Sequence, residues 1–142
     1  MTEEMGQFQP PHADRPVRAA IVGIQESSEN GEASVTITLT YHDAEYAGHA
    51  VGSAAVSARP RIVGEATLRA VENVTGGRLQ LTLDAIATTD LGESRVAMAQ
   101  IGLMGSNEPL VGSALVQTSD SATATVKAVL DALNRRMAQI LE

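Results

Sequence analysis

Residues 66–71 read ATLRAV, and residues 128–133, which lie 62 positions later, read AVLDAL. The same distance separates two sets of alternating apolar residues, Val17, Ala19 and Ile21 in one and Leu79, Leu81 and Leu83 in the other. Chance alignment in an alanine-rich chain is the alternative to duplication. Agreement of a strand signal and a helix signal in one register favours duplication. The sequence therefore predicts two repeats, at about residues 15–77 and 78–142.

Each predicted repeat begins with three strand segments, because apolar and polar residues alternate along them. The clearest alternation is SVTITLT at residues 34–40. We interpret the preceding polar stretch, QESSENGE at residues 25–32, as a turn that contains the hairpin pair Asn30-Gly31. A second turn is predicted at residues 42–45. The first repeat is thus a three-stranded meander.

A helix closes each repeat, because the apolar spacing changes to three and four residues. The first stripe runs from Val63 to Val74 and is followed by Gly76-Gly77, a common helix end. The second runs from Val126 to Leu141, and Asp120 or Ser121 can cap its start. Packing the stripes on the apolar strand faces buries both. We predict an α+β fold of duplicated βββα units, with two helices packed on antiparallel sheet, and leave open whether the strands form one sheet or two.

The chain has 142 residues, which is the size of one domain. Residues 1–14, MTEEMGQFQPPHAD, have no hydrophobic period, and Pro10-Pro11 favours an extended backbone. We expect a flexible acidic arm over residues 1–14, followed by a single domain over residues 15–142.

A net charge of −7 argues against nucleic acid and anionic membrane as partners, because phosphate binding needs a positive surface. No apolar run is long enough to cross a bilayer, and Glu3 and Glu4 are unlike a secretory signal. We therefore expect a cytoplasmic domain. The absence of Cys excludes disulfides, thiolate zinc sites and cysteine nucleophiles.

The core lacks bulk, since aromatic residues make up only 2% of the chain. With narrow helix stripes and few large side chains, we expect some apolar surface to remain for a second subunit. The predicted assembly is a symmetric homodimer.

The end of the second repeat resembles the regulatory, leucine-binding C-terminal domain of the 2-isopropylmalate synthase and citramalate synthase family. That family has a glycine-containing strand end, a Ser/Thr-Asp cap and a small-residue helix ending in Ala-Leu-Asn-Arg. The matching positions are Gly112, Thr118 or Ser119, Asp120, Ala122, Ala128 and residues 132–135. In the first repeat, Gly48 to Gly52 is similar to the family's glycine loop but lacks its Gly-Pro and Asp, and the strand-to-helix junction is about two residues longer.

This resemblance implies paired βββα units, dimerisation, and binding of a small amino acid near the two strand-to-helix junctions. It implies a free-standing relative of that domain, without the condensation chemistry of the synthases. The candidate ligand-binding residues at the junctions are Gly48, Gly52, Ser53, Gly112, Ser119 and Asp120.

Elementary chemistry leaves two interpretations of these junctions open. A helix N-terminus attracts anions, and a nearby glycine lets a ligand approach the backbone. Alternatively, the glycines allow close packing of helix on strand, and Asp120 is a helix cap. Arg59 and Arg61, near the first helix, can pair with a ligand carboxylate or be ordinary exposed charges.

Catalysis has weaker support. His42, Asp43, Glu45 and His49 form the densest polar cluster, but turns are polar for reasons of solvation, and no metal-ligand spacing is present. No nucleophile elbow, P-loop or dinucleotide fingerprint occurs. We therefore expect a protein that is not an enzyme and uses no cofactor or metal.

Two functions remain from this reasoning. The first is a homodimeric regulatory domain that senses a small amino acid or carboxylate. The second is a ligand-free interaction or assembly domain, in which the acidic arm contacts a protein partner.

Overall fold

The computed structural model describes residues 18–117 and 120–141. The predicted arm, residues 1–14, and the candidate residue Ser119 lie outside this part. The first repeat contains β1 (Ala20–Glu29), β2 (Glu32–Tyr41), β3 (Ala44–Ser53), one 3₁₀ turn (Val56–Ala58) and α1 (Arg59–Val74). The second contains β4 (Leu81–Leu91), β5 (Ser94–Leu103), β6 (Leu110–Leu115) and α2 (Ser121–Leu141).

The strands form two three-stranded antiparallel sheets, in the orders β1-β2-β3 and β4-β5-β6. We call them the first and the second sheet. The prediction of an α+β fold built from a repeated βββα pattern is confirmed. The sequence left open whether the strands form one sheet or two, and the structure shows two separate sheets.

The polar stretch before β2 is a correction to the sequence-based interpretation. Only Asn30 and Gly31 form the turn, with φ of 54° and 79°, whereas Gln25 to Glu29 continue β1 and pair with β2. The prediction of a turn over residues 25–32 was therefore wrong for its two ends. Backbone pairing holds this part of the hairpin although its side chains are exposed, so hydrophobic alternation gives no signal there.

The two repeats share irregular details as well as element order. The β1–β2 register shifts between Ile21 and Gly23, and the β4–β5 register shifts between Leu83 and Ala85, at positions 62 residues apart. A β-bulge is a local feature that related segments retain. Its recurrence at one register supports the duplication.

A hydrogen bond between helix and strand recurs at the same spacing. The Leu81 N–H donates to Glu72 Oε2 at 2.8 Å, and the Ala19 N–H donates to Asn134 Oδ1 at 3.3 Å. Each helix therefore contacts the first strand of the other repeat. In this way α1 joins β4, and α2 joins β1, into one core.

The core lies where the helices cover the sheets. Helix α1 packs on β2 and β3, α2 packs on β5 and β6, and the two helices contact each other. The largest fully buried side chains are aliphatic: Ile37, Leu39, Leu68, Ile101, Leu133 and Met137.

Glycine brings each helix close to its sheet. A Cβ atom added at Gly48 would collide with the backbone of Ala66 and Ala70, and one added at Gly112 would collide with the backbone of Ala128 and Ala132. The two alanine pairs are again 62 positions apart. Both contacts join strand backbone to helix backbone, where no side chain can move aside.

We predict that Gly48→Ala and Gly112→Ala each destabilise the domain by about 1–3 kcal/mol, because the added methyl group must push a helix off its sheet. The measurement is the free energy of unfolding in urea. Gly23→Ala is the matched control: it adds the same methyl group to a strand position with no atom within 4 Å. A loss of stability in the control as large as in the other two variants would contradict the packing explanation.

Candidate functional site

A pocket of about 350 Å³ lies beside the start of α1. The β1–β2 hairpin forms one wall, and the end of β3 with the 3₁₀ turn forms the other. Its polar lining includes Glu26, Ser27, Ser34, Ser53 and Arg59, and its apolar lining includes Ala33, Val35, Val56 and Ile62. We call this space the Arg59 pocket.

An arginine–glutamate pair lines the Arg59 pocket. Arg59 Nε donates to Glu26 Oε1 at 2.8 Å, and Arg59 Nη2 donates to Glu26 Oε2 at 2.7 Å. This bidentate geometry fixes the plane of the guanidinium group. Both side chains are partly exposed, at 42% and 36%, so the pair contributes little to folding.

The charges of this pair are mutually stabilised. Hydrogen bonds from Arg59 lower the pKa of Glu26 below its ordinary value, although partial desolvation and the charge of Asp120 oppose this change. The hydrogen bond to Glu26 likewise raises the pKa of Arg59. Asp120, at the start of α2, is therefore close enough to act on the pair.

The second repeat lacks this pair. The residues at the positions equivalent to Glu26 and Arg59 are Thr88 and Ser121, which lie 62 residues later. A cavity of about 600 Å³ adjoins Ser121, with Ser94, Arg95 and Gln117 in its lining. Here Arg95 Nε lies 3.7 Å from the carboxylate of Asp90, its cross-strand partner in the β4–β5 hairpin. Two equivalent backbone positions therefore carry different chemistry.

The structure separates the candidate residues into two groups. Gly48 and Gly112 are buried against the helix backbone, as the packing alternative expects, and the Cβ position of Gly52 lies 2.9 Å from the side chain of Ile62. Ser53 lines the Arg59 pocket, and its Oγ accepts a hydrogen bond from the Ala55 N–H at 3.0 Å. A ligand-binding role for these residues stays a prediction.

Asp120 caps α2, as the second interpretation of the junction expects. Its Oδ1 accepts hydrogen bonds from the N–H groups of Ala122 and Thr123, at 3.1 and 3.4 Å. Its Oδ2 accepts one from Thr123 Oγ1 at 2.6 Å. These hydrogen bonds lower the pKa of Asp120, and the bond from the Thr123 hydroxyl has the largest effect. The capping carboxylate itself occupies the anion-binding end of this helix.

The lowered pKa of Asp120 predicts an acid-sensitive contribution to stability. The folded state holds the carboxylate charged, so this contribution is present above the ordinary pKa of 3.8 and is lost as the pH falls through the lower folded value. In Asp120→Asn the amide keeps the cap but does not titrate.

We expect Asp120→Asn to unfold with a similar midpoint at pH 7 and with a smaller drop in stability below about pH 4 than the parent protein. The measurement is urea unfolding as a function of pH. Asp90→Asn is the control, because the Asp90 side chain is 81% exposed. A parallel loss of stability in the parent and in Asp120→Asn would contradict the cap as its source.

The polar cluster considered for catalysis is spread along a hairpin. His42 and Asp43 form the β2–β3 turn, with φ of 53° and 65°, and the His42 ring packs edge-on against Tyr41. His49 lies further along β3, where its Nδ1 is 3.0 Å from Thr36 Oγ1. Six residues separate the two histidines, and the strand from Ala44 to His49 spans about 17 Å, so they do not form one site.

Glu26 was missed as a site residue. It lies in the polar stretch interpreted as a turn, 33 positions before Arg59. No local sequence pattern connects two residues so far apart, whereas Arg59 itself was recognised as a possible partner for a carboxylate.

Comparisons with known proteins add no family assignment. No protein-family model and no curated protein matches the chain. The resemblance to the leucine-binding domain therefore stays a prediction. Within residues 18–117 and 120–141, none of the helices has the length and apolar character required to span a membrane. The same residues contain no cluster of three or more His, Asp or Glu side chains placed to hold a metal ion.

Proposed function

We propose that this domain is a homodimeric regulatory module that senses a small amino acid or carboxylate in the Arg59 pocket. The observation that carries the proposal is the bidentate Glu26–Arg59 pair in the first repeat, where the second repeat has Thr88 and Ser121. The fold does not require the pair, because the second repeat forms the same elements without it.

The pair is chemically suited to a zwitterion. Glu26 uses two of the five N–H donors of Arg59, so the guanidinium can still donate to a ligand carboxylate. The Glu26 oxygens retain lone pairs that can accept from a ligand ammonium group. An amino acid placed in this way adds no net charge to the site. A simple carboxylate, which has no ammonium group, would bind to Arg59 only.

The remaining lining suits a small ligand. A volume of about 350 Å³ is at the lower end of the range for small-molecule sites. Ser27 and Ser34 pair with each other and with Val51, so their hydroxyls, 2.8 Å apart, lie on the outer sheet face and leave Glu26 and Arg59 as the charged groups that face the pocket. Val56, Ile62 and Ala33 offer an apolar surface to an aliphatic side chain. These features together favour an aliphatic amino acid or a short-chain carboxylate.

Dimerisation is proposed through the outer face of the second sheet, the side away from the helices. On this face Met98, Val111 and Leu115 are 41%, 59% and 52% exposed. Thr36, Ala47 and Val51 occupy the equivalent positions on the first sheet. The first-sheet face also carries Gln25, Ser27, Ser34, Thr38 and His49 in register, so it is the more polar of the two outer faces although Ala47 and Val51 are apolar.

A second copy of this chain is the proposed occupant of that face. Two copies that each carry a net charge of −7 repel each other, and an uncharged contact surface adds no local repulsion to this. Asp84 lies beside Gly102 at one end of the face, but the nine outward residues in the rows that cross all three strands carry no charge: Ala85, Ala87, Thr89, Val96, Met98, Gln100, Val111, Ser113 and Leu115. Strand spacing and rise give these nine residues a flat area of about 300 Å² per copy, so an interface of the ~1,000 Å² expected for specific association must also include the margins of this face.

The alternative function is a ligand-free assembly domain, and the same apolar face favours it. The two functions differ at the Arg59 pocket, since an assembly domain needs no ligand there. A binding experiment that includes an Arg59 variant therefore separates them.

We predict that at least one compound in a panel of aliphatic amino acids, 2-oxo acids and short carboxylates raises the melting temperature. At about 100 times its dissociation constant, a ligand that binds only the folded state stabilises it by about 2.7 kcal/mol. Arg59→Gln should weaken binding at least about tenfold, because it removes the charged donor group. The measurements are thermal melts followed by titration calorimetry.

The control for this experiment is Arg95→Gln, which removes an exposed arginine that lies near Asp90 in the second repeat. It should bind as the parent does. A panel without any stabilising compound would favour the assembly domain. Equal binding by Arg59→Gln and the parent would place the ligand elsewhere.

For the dimer, we predict that Met98→Lys shifts the protein towards monomer in sedimentation equilibrium, because it buries an unpaired charge in the interface. Thr36→Lys is the matched control, since it introduces the same charge at the equivalent central-strand position of the first sheet. Its association should equal that of the parent. A monomeric parent, or a Met98→Lys protein that remains a dimer, would contradict this interface.

A further inference from the structure

A second region of interest lies along α2, on residues that the Arg59 pocket does not use. Two cavities of about 570 and 530 Å³ share Arg18 and Asp131 in their linings. Together they form a groove between the start of β1, strand β6 and helix α2. We call it the basic groove, because its lining includes Arg18, Lys127, Arg135 and Arg136.

These four cations differ from the other basic side chains of residues 18–117 and 120–141. Away from the groove, each arginine has a partner: Glu26 for Arg59, Leu83 O for Arg61, Leu81 O for Arg69, Ile140 O for Arg78 and Asp90 for Arg95. The four groove cations have no hydrogen-bond or ion-pair partner within the described residues. Asp131 is the acidic residue of the groove, and its Oδ2 accepts the Ser113 N–H at 2.9 Å.

The groove also contains an open strand edge. The Ala19 N–H bonds to Asn134 on α2, so the outward backbone groups of Ala19, and of Ile21 two residues later, point to this side. In the second repeat, Arg61 and Arg69 of α1 cover the corresponding carbonyls of Leu83 and Leu81. On α2 the equivalent residues are Thr123 and Asp131. No side chain in the described part of the chain donates to the carbonyls of Ala19 or Ile21.

We propose that residues 1–17 of this chain, which are the predicted arm of residues 1–14 and the three residues that join it to Arg18, dock in the basic groove; from here on the arm means this whole segment. The arm joins the described structure at Arg18, which is itself a lining residue of both cavities. Seventeen extended residues reach about 55 Å, whereas the groove follows α2 for about 20 Å. The arm therefore has enough length to turn back along the groove.

The charge of the arm complements that of the groove. Glu3 and Glu4 are adjacent carboxylates in the arm, and with Asp14 they outweigh its one arginine, Arg15. In the docked state they lie among Lys127, Arg135 and Arg136, and the arm backbone offers N–H donors to the open edge of β1. The docked arm thereby protects an edge that could otherwise pair with another chain.

The test uses the 142-residue chain, which contains no cysteine. A Met5→Cys variant carries one nitroxide label, and the loss of amide signal intensity is measured by NMR against the reduced label. We expect a selective loss at Lys127, Asp131 and Arg135, and recovery of the signals in high salt because charge attraction is screened. A uniform loss, or none, would overturn the proposal.

Charge variants test the basis of the contact. Glu3→Gln with Glu4→Gln, and separately Arg135→Gln with Arg136→Gln, should each restore the groove signals. Arg95→Gln, which changes an arginine outside the groove, should leave the loss intact. Persistence of the selective loss in both paired variants would overturn the electrostatic docking.

Mixing labelled chains with isotope-enriched unlabelled chains identifies the copy that supplies the arm. Loss of signal only within one molecule supports docking of the arm on its own domain. Loss in the mixture supports exchange of arms between copies. Both results keep the arm as the occupant of the groove.

Discussion

Close contact between helix backbone and strand backbone is the constraint on which the rest of this structure depends. Gly48 lies against Ala66 and Ala70, and Gly112 lies against Ala128 and Ala132. A chain with few aromatic residues cannot fill a wide space between its layers. It reaches interior packing density by bringing the layers together, and the residues at the contact must then be small.

The close contact also explains the pattern of substitutions between the repeats. Positions at the helix–sheet contact have small side chains in both repeats. Both repeats also have the β-bulge at the same register and the hydrogen bond from helix to strand at the same spacing. Positions that face solvent have diverged. Glu26 and Arg59 correspond to Thr88 and Ser121, and Thr36 corresponds to Met98. Packing limits change at the contact, whereas solvent-facing positions are free to acquire new chemistry.

This divergence distinguishes three surfaces. The Arg59 pocket lies at the start of α1, the apolar outer face belongs to the second sheet, and the basic groove follows α2. Each differs from its counterpart in the other repeat. The arginines on α1 cover the edge of β4, whereas Thr123 and Asp131 leave the edge of β1 uncovered. A duplicated scaffold can thus carry three different surfaces, of which the proposed self-association face and the basic groove meet at Val111 and Ser113 of β6.

Only part of the candidate site could be predicted from sequence. Arg59, Ser53 and Asp120 were recognised as polar residues next to a helix start, which is a local property. Asp120 is a cap because a carboxylate before a helix bonds to the nearest free N–H groups. Glu26 was missed, because its role depends on a partner 33 residues away. The end of β1 was predicted as a turn, because its side chains are all exposed and therefore do not alternate in polarity. Its backbone nevertheless pairs with β2.

The sequence by itself determined the two βββα repeats, the helix and strand periods, and the small residues that meet between the layers. These features are encoded by neighbouring residues, since a helix stripe, a hairpin turn and a cap each form within a few positions. Only the tertiary structure decided that the strands form two sheets, that each helix bonds to the first strand of the other repeat, and that Glu26 meets Arg59. These contacts join distant residues, and which groups meet depends on how the packed layers lie across one another.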